Sequence, residues 1–349
     1  MTSSLAHVKT LVVRCPNWVG DIVMATPVFE CLRANLPQAK IIGLLKKGTE
    51  DILRDSPWFD GFIECNDRSW AGFRQTRRRL REIRPDAALL LTNSLRSALT
   101  TRLGGVKRVY GYYRDGRGLL LAGGPTVQRN SQGIVPIPMV DYYLEICRWL
   151  KLEIPDPVKP RLFIGDALRQ RGKALLKSCG IDESDFVIGL NAGASFGASK
   201  CWPPEYFAEL AEMCQGQLAT KVVLFTGPGE EEIRRTILDR AKVDLIDARA
   251  QGVDLETLKP MIERCNLLIT NDTGPRHYAV ALDVPVVVVF GSTDPTYTAS
   301  NLEQTLIVRK ELDCSPCHKK VCPKQHECMR EIKPAEVFAA AETLLNQCV

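Results

Sequence analysis

Short continuous apolar runs alternate along this chain with stretches in which apolar residues recur every three or four positions. The runs are "TLVVR", "KIIGLL" and "AALLLT" in the first half, then "FVIGLN", "KVVLFTG", "NLLIT" and "VPVVVVFG" in the second. Runs of that length without polar interruption fit strands buried on both faces, and the periodic stretches between them fit crossover helices. The pattern predicts an α/β protein with parallel sheets, arranged as two doubly wound domains facing a cleft. Between the halves lies "LEIPDPVKPRLFIG", where Pro155, Pro157 and Pro160 interrupt regular helix and mark an interdomain linker. The expected domains are residues 1–160 and 161–332, the second carrying a cysteine-rich segment at 314–328. The remaining 333–349 is expected to form a helix packing back on the first domain.

In open α/β sheets ligands bind beyond the carboxyl ends of the strands, so chemistry is sought in the loops that follow them. In "PNWVGDIVMATP" the first strand gives way to Gly20-Asp21 and an apolar helical run. A helix N-terminus attracts anions, and an aspartate there would repel a phosphate. The G-x-G-x-x-G spacing of a dinucleotide site is absent too. Asp21 is therefore either a helix N-cap or a catalytic base. In "LNAGASFGASKCWPPEYF" small residues leave room for backbone to wrap an anion and Lys200 adds a cation, as in a phosphate cradle, although the P-loop spacing is absent. An ordinary flexible loop is the other reading. In "NLLITNDTGPRHYAVAL" a strand runs into Asp272-Thr273-Gly274, with Thr273 and His277 at i, i+4. Those groups suit a sugar ring and a diphosphate; a helix cap with His277 packed beneath is the alternative.

Composition narrows the class without naming it. The chain has 349 residues, 45% hydrophobic and 25% charged, ordinary for a soluble two-domain protein. No apolar run approaches the roughly 18 residues that span a bilayer, and "MTSSLAHVKT" lacks a signal-peptide core, so a cytoplasmic location is expected. Thirteen cysteines, mostly in apolar segments, fit reduced buried thiols. The net charge of +5 is uneven: thirteen Lys or Arg stand against four acids between Asp67 and Arg117. That stretch is either a solvated helix face or a surface for a polyanion, and nucleic acid is disfavoured because no aromatic platform accompanies it.

Read together, "PNWVGDIVMATP", "NAGASFGASKCWP", "TNDTGPRHYAVALDVPVVVVFGSTDP" and "CSPCHKKVCPKQHECM" resemble, in order and over nearly the whole chain, the lipopolysaccharide heptosyltransferase family (glycosyltransferase family 9), within it the heptosyltransferase II branch. In the resemblance the lysine of the second motif is followed by a basic residue, where Cys201 stands here. The resemblance implies a GT-B fold of two Rossmann-like domains and inverting transfer of L-glycero-D-manno-heptose from ADP-heptose to a heptose-Kdo-lipid A inner core. It implies neither a cofactor nor a catalytic metal. Asp21 would be the base and Lys200 would stabilise the departing ADP. Asn191, Gly193, Ser195, Lys200, Asp272, Thr273, Gly274 and His277 would hold the donor. Asn17, Gly20, Arg77, Arg78, Arg114 and Arg117 would hold the lipid A-linked core oligosaccharide. Peripheral association with the cytoplasmic face of the inner membrane follows, with no nucleic-acid partner.

Cys314, Cys317, Cys322 and Cys328, with His318 and His326 nearby, supply enough ligands for a structural zinc, but their spacing matches no standard zinc template. Reduced thiols or a disulfide are the alternatives. Two other readings compete with transfer: a Rossmann-type nucleotide-sugar epimerase or oxidoreductase, which lacks its fingerprint after the first strand, and a non-catalytic nucleotide-binding scaffold.

Overall fold

The computed structural model describes residues 5, 7–66, 69–131 and 133–347; Asp67 and Arg68 of the basic stretch and Cys348 lie outside them. The chain divides into two compact units. One is the chain up to Phe163 with Thr296–Ser300, the other Ile164–Pro295 with the chain from Asn301 onward.

The first unit is built on five parallel strands, β1 (Thr10–Arg14), β2 (Lys40–Leu45), β3 (Gly61–Glu64), β4 (Ala87–Leu90) and β5 (Arg108–Gly111), in the order β3-β2-β1-β4-β5. Val12 of β1 lies opposite Ile42 on one side and Ala88 on the other, and all three enter a core with Leu80, Ala98 and Val109. The strand order reverses between β1 and β4. That reversal opens a crevice at the carboxyl end of β1, where the Asp21 segment begins. A two-residue antiparallel ladder, β6 (Arg129–Asn130) with β7 (Gly133–Ile134), completes the unit.

The second unit repeats the scheme with six parallel strands: β8 (Val187–Asn191), β9 (Lys221–Phe225), β10 (Ile246–Asp247), β11 (Leu267–Asn271), β12 (Val286–Phe290) and β13 (Thr305–Arg309). Their order is β10-β9-β8-β11-β12-β13, so the reversal falls between β8 and β11. All residues of β8, β11 and β12 are buried, which is why their sequences show no alternation. Both units thus have the Rossmann-like order, with Lys200 and Asp272 in the loops on either side of the second reversal.

The C-terminal helix departs from expectation. Pro334–Gln347 packs within the second unit, against the helix Pro204–Leu218 and strands β12 and β13. Val337, Phe338, Ala341 and Leu344 recur at helical spacing and close over Trp202 and Phe207. Each large apolar side chain buried this way contributes about 1.5–3 kcal/mol, and that stripe finds its apolar complement here. Among the described residues no helix is long and apolar enough to cross a membrane.

Candidate active site

The second unit assembles a charged cluster where its strand order reverses. Asp272 follows β11, and Lys200 ends a short 3-10 turn, Ala198–Lys200, in the loop after β8. The Lys200 ammonium donates to Asp272 Oδ2 at 2.5 Å and to the Asp272 carbonyl at 3.0 Å. Arg276, in the first turn of the helix Gly274–Ala281, donates from Nη1 to Asp272 Oδ1 at 3.0 Å, and Thr293 Oγ1 donates to Oδ2 at 3.0 Å. Burial would push the Asp272 carboxyl up, but Lys200 and Arg276 overcome it and hold the pKa at about 2. Two cations against one carboxylate leave a surplus positive charge beside a helix N-terminus, an arrangement that attracts a phosphate.

Neighbouring groups fix this cluster in place. Asn271 accepts from the Trp202 amide at 3.0 Å and donates to the Ala192 carbonyl at 2.6 Å, joining the end of β11 to the Lys200 loop. Asn191, at the end of β8, donates its amide to Thr270 Oγ1 at 2.9 Å. Thr273 takes the N-cap position of its helix, yet its side chain makes no capping bond, and Asp272 is spent on cations, so neither is the simple cap of the alternative reading. Burial, reinforced by Arg276, pushes the His277 imidazole down to about 3 and leaves it uncharged near neutrality. Ser195 is exposed and Gly193 buried in the loop between.

A side chain on Gly193 would land on the carboxylate of Glu230, which follows β9 and accepts from the Gly227 amide at 2.5 Å. Burial raises the pKa of Glu230. Glu230, Cys201, Pro203, Ile233, His326 and Arg330 border an open depression of about 420 Å³ beside the Lys200 loop. The cysteine-rich segment braces that loop from the other side: Ser199 donates its amide to the Lys320 carbonyl at 3.1 Å, and His326 Nε2 lies 2.9 Å from the Ser199 carbonyl. Cys314, Cys317, Cys322 and Cys328 line one small cavity as free thiols. Among the described residues no group of three or more His, Cys, Asp or Glu is placed to hold a metal ion.

In the first unit Asp21 is not a helix N-cap. The helix Val19–Met24 starts two residues earlier, with Trp18 at the cap position, so Asp21 lies within the first turn. Its Oδ1 accepts from the Tyr143 hydroxyl at 3.2 Å. Burial, then the charge of Asp21, hold the Tyr143 phenol well above its ordinary pKa, so it stays a donor. Gly20 shares that helix, and Asn17 is held by Arg14 through a 2.8 Å bond. Of the four arginines, Arg78 is exposed and Arg77 half-buried on the helix Trp70–Ile83, and Arg114 reaches the Tyr142 hydroxyl at 3.4 Å. Arg117 corrects the expectation of a surface contact. It is fully buried and donates to the Tyr112 carbonyl at 3.0 Å, to Thr92 O and to Asn93 Oδ1, so its guanidinium is spent on acceptors inside the unit. Burial accordingly lowers its pKa to about 10.

Sequence reading missed Arg276, Thr293, Glu230 and Tyr143. Three carry a signal in hindsight: Arg276 sits four residues after Asp272, Thr293 follows β12, and Glu230 follows a Gly-Pro-Gly turn after β9. Tyr143 carries none, since its meeting with Asp21 is made by tertiary structure alone.

Comparison with known proteins places this chain in a family. The chain is 26% identical over 339 residues to lipooligosaccharide heptosyltransferase 2 of Campylobacter jejuni, covering 96% of this chain and 98% of that protein. It is 26% identical over 348 residues to lipopolysaccharide heptosyltransferase 2 of Salmonella typhimurium, covering 95% and 97%. The solved structure of ADP-heptose lps heptosyltransferase II from E. coli superposes with a TM-score of 0.79 at 26% identity, over 97% of this chain and 99% of that one, which makes the fold GT-B. Residues 73–327 match the model of glycosyltransferase family 9 (heptosyltransferase), and the chain belongs to that family.

Proposed function

We propose that this enzyme moves L-glycero-D-manno-heptose from ADP-heptose onto the heptose-Kdo-lipid A inner core of lipopolysaccharide, with inversion. The observation that carries the reading is the Lys200–Asp272–Arg276 cluster, which offers one surplus positive charge beside a helix N-terminus where the second unit's strand order reverses. As the bond from the heptose anomeric carbon to the diphosphate breaks, the leaving ADP gains charge. Lys200 and the amides at Thr273 and Gly274 meet that charge as fixed donors, a role a divalent cation plays elsewhere. Asp272 holds Lys200 at the site, and the depression beside Glu230 has room for the nucleoside. The acceptor hydroxyl forms the new bond and gives its proton to Asp21, which Tyr143 orients. Asn17 and Gly20 border the base, and Arg77, Arg78 and Arg114 attract the phosphates and carboxylates of the acceptor.

Family membership disfavours the epimerase, oxidoreductase and scaffold readings. The acceptor is lipid-linked, so the enzyme works at the cytoplasmic surface of the inner membrane as a peripheral protein. Thermal unfolding with added ADP, UDP, GDP and NAD tests the donor assignment, since a ligand that binds only the folded state raises the melting temperature. ADP alone should do so; stabilisation by UDP or NAD with none by ADP would refute it.

A further inference from the structure

The helix Leu95–Leu103 in the first unit is turned inside out. Its buried positions are Ser97, Ala98, Thr100 and Thr101, while Leu95, Leu99 and Leu103 are 49%, 38% and 42% exposed. The inward hydroxyls are satisfied within the helix and its cap: Ser97 donates to Ser94 O at 2.7 Å, Thr100 to Arg96 O at 2.8 Å and Thr101 to Ser97 O at 2.9 Å. At 3.6 residues per turn, leucines spaced four apart fall within an arc of about 80°, with Arg102 and Arg96 bordering it on either side. The adjoining 3-10 turn Gly118–Leu120 adds Leu119, wholly exposed, although Leu120 and Leu121 pack on the core.

The neighbouring helix Trp70–Ile83 supplies the charge. Trp70, 72% exposed, shares a face with Arg74, Arg77 and Arg81. Arg77 Nε and Arg81 Nη2 donate to the Leu103 carbonyl at 3.3 and 3.1 Å, so two guanidiniums stand at the end of the leucine stripe. Arg81, Arg84, Lys107 and Arg108 then line a shallow depression of about 750 Å³. The acids nearby are already committed: Asp86 accepts from the Lys9 and Thr10 amides at 2.8 Å, and Glu82 lies 3.6 Å from Arg78 and 3.3 Å from Arg79.

We propose that this face is a docking surface for an anionic lipid bilayer. Leu95, Leu99, Leu103 and Leu119 enter the boundary between headgroups and acyl chains, Trp70 sits at headgroup level, and the arginines pair with lipid phosphates. An apolar stripe inside a cationic border asks for a partner that is apolar within and anionic at its surface, which a bilayer is. A second copy of the chain docked on the same face would set arginines against arginines. The proposal rests on the lipid-linked acceptor reading and deepens it by naming the surface that meets the membrane.

Co-sedimentation of the full chain with phosphatidylcholine vesicles, with and without phosphatidylglycerol, tests it. The parent should bind the anionic vesicles and release them as salt rises, because exposed attraction is screened over about 8 Å at physiological ionic strength. Leu99→Glu with Leu103→Glu should lose roughly tenfold or more of that binding. The same variant should keep the parent's heptosyl transfer to a deacylated, soluble acceptor. If it misfolds, Arg96→Gln with Lys107→Gln decides, and should bind more weakly with a shallower salt dependence. Binding by both variants equal to the parent's, or no preference of the parent for anionic vesicles, overturns the proposal. So does a parent dimer that the leucine variant dissociates without any vesicle binding. Absence of heptosyl transfer alongside normal vesicle binding would instead strike the functional reading and leave the docking surface standing.

Discussion

Replacing Asp272 by asparagine preserves shape and removes one charge from the centre of the proposed donor site. In the parent the carboxylate lies 2.5 Å from Lys200 Nζ and 3.0 Å from Arg276 Nη1, and is almost wholly buried. Its pKa is held at about 2 against an ordinary 3.8, burial working one way and the two cations more strongly the other. About two units, at ~1.36 kcal/mol each, correspond to roughly 2–3 kcal/mol of favourable interaction. Arg276 shows the opposing cost: burial lowers its pKa more than Asp272 restores it, yet a guanidinium stays protonated at any pH of interest. The gain is therefore read on the carboxylate. With asparagine in place, the guanidinium is buried beside a neutral amide, and deleting one member of a buried pair costs about 3–5 kcal/mol. Asp272→Asn should thus lower the unfolding free energy by about 2–4 kcal/mol at pH 7, measured by urea unfolding. A depressed carboxylate pKa stabilises the fold above the ordinary carboxylate range, and that contribution is lost as pH falls through about 2. The gap between parent and variant should accordingly narrow below pH 4. Equal urea midpoints at pH 7, or a gap that ignores pH, would mean that Asp272 does not stabilise the fold through its charge.

Three further outcomes follow from the same geometry. Asp21→Asn should leave ADP binding and melting temperature near the parent's while turnover drops by roughly 10²–10⁴-fold, as for a lost general base; near-normal turnover in a steady-state assay would make Asp21 structural only. Tyr143→Phe removes a hydrogen bond that favours the ionised Asp21, so the acid limb of the kcat/KM profile should move to higher pH; an unmoved limb would leave Tyr143 as packing. Lys200→Ala should cut turnover with ADP-heptose by about 10²-fold or more, while the parent keeps its activity in EDTA; loss of activity on chelation with the fold intact would contradict charge stabilisation by fixed side chains.

How much of this was legible in the sequence depends on burial. Strands β1, β2, β8 and β12 announce themselves because parallel strands covered on both faces are apolar throughout. Strand β3 alternates between half-buried and exposed, and β10 and β13 are only half-buried, so their sequences blur into the loops. Lys200 and Asp272 stand out in the sequence because both follow strong strands. Arg276 was passed over because an arginine in the first turn of a helix reads as solvated, and only the folded chain shows it 1% exposed. Arg117 misled for the same reason, two of its partners being backbone carbonyls that have no sequence signature. The final helix went to the wrong unit because an apolar stripe states that it will be covered and not by what. The leucines at 95, 99 and 103 form a similar stripe, and here the side that looks buried in sequence faces outward.

Mass spectrometry of the products is the sharpest test of heptose transfer from ADP-heptose. The purified enzyme would be given ADP-heptose with acceptors of graded core length: Kdo-lipid A alone, the same bearing one heptose, and the same bearing two. The one-heptose acceptor should gain a single heptosyl residue with release of one ADP per transfer, and Asp21→Asn and Lys200→Ala should suppress it. A folded enzyme that binds ADP yet leaves every acceptor unchanged, or that returns an epimerised nucleotide sugar instead, would contradict heptose transfer.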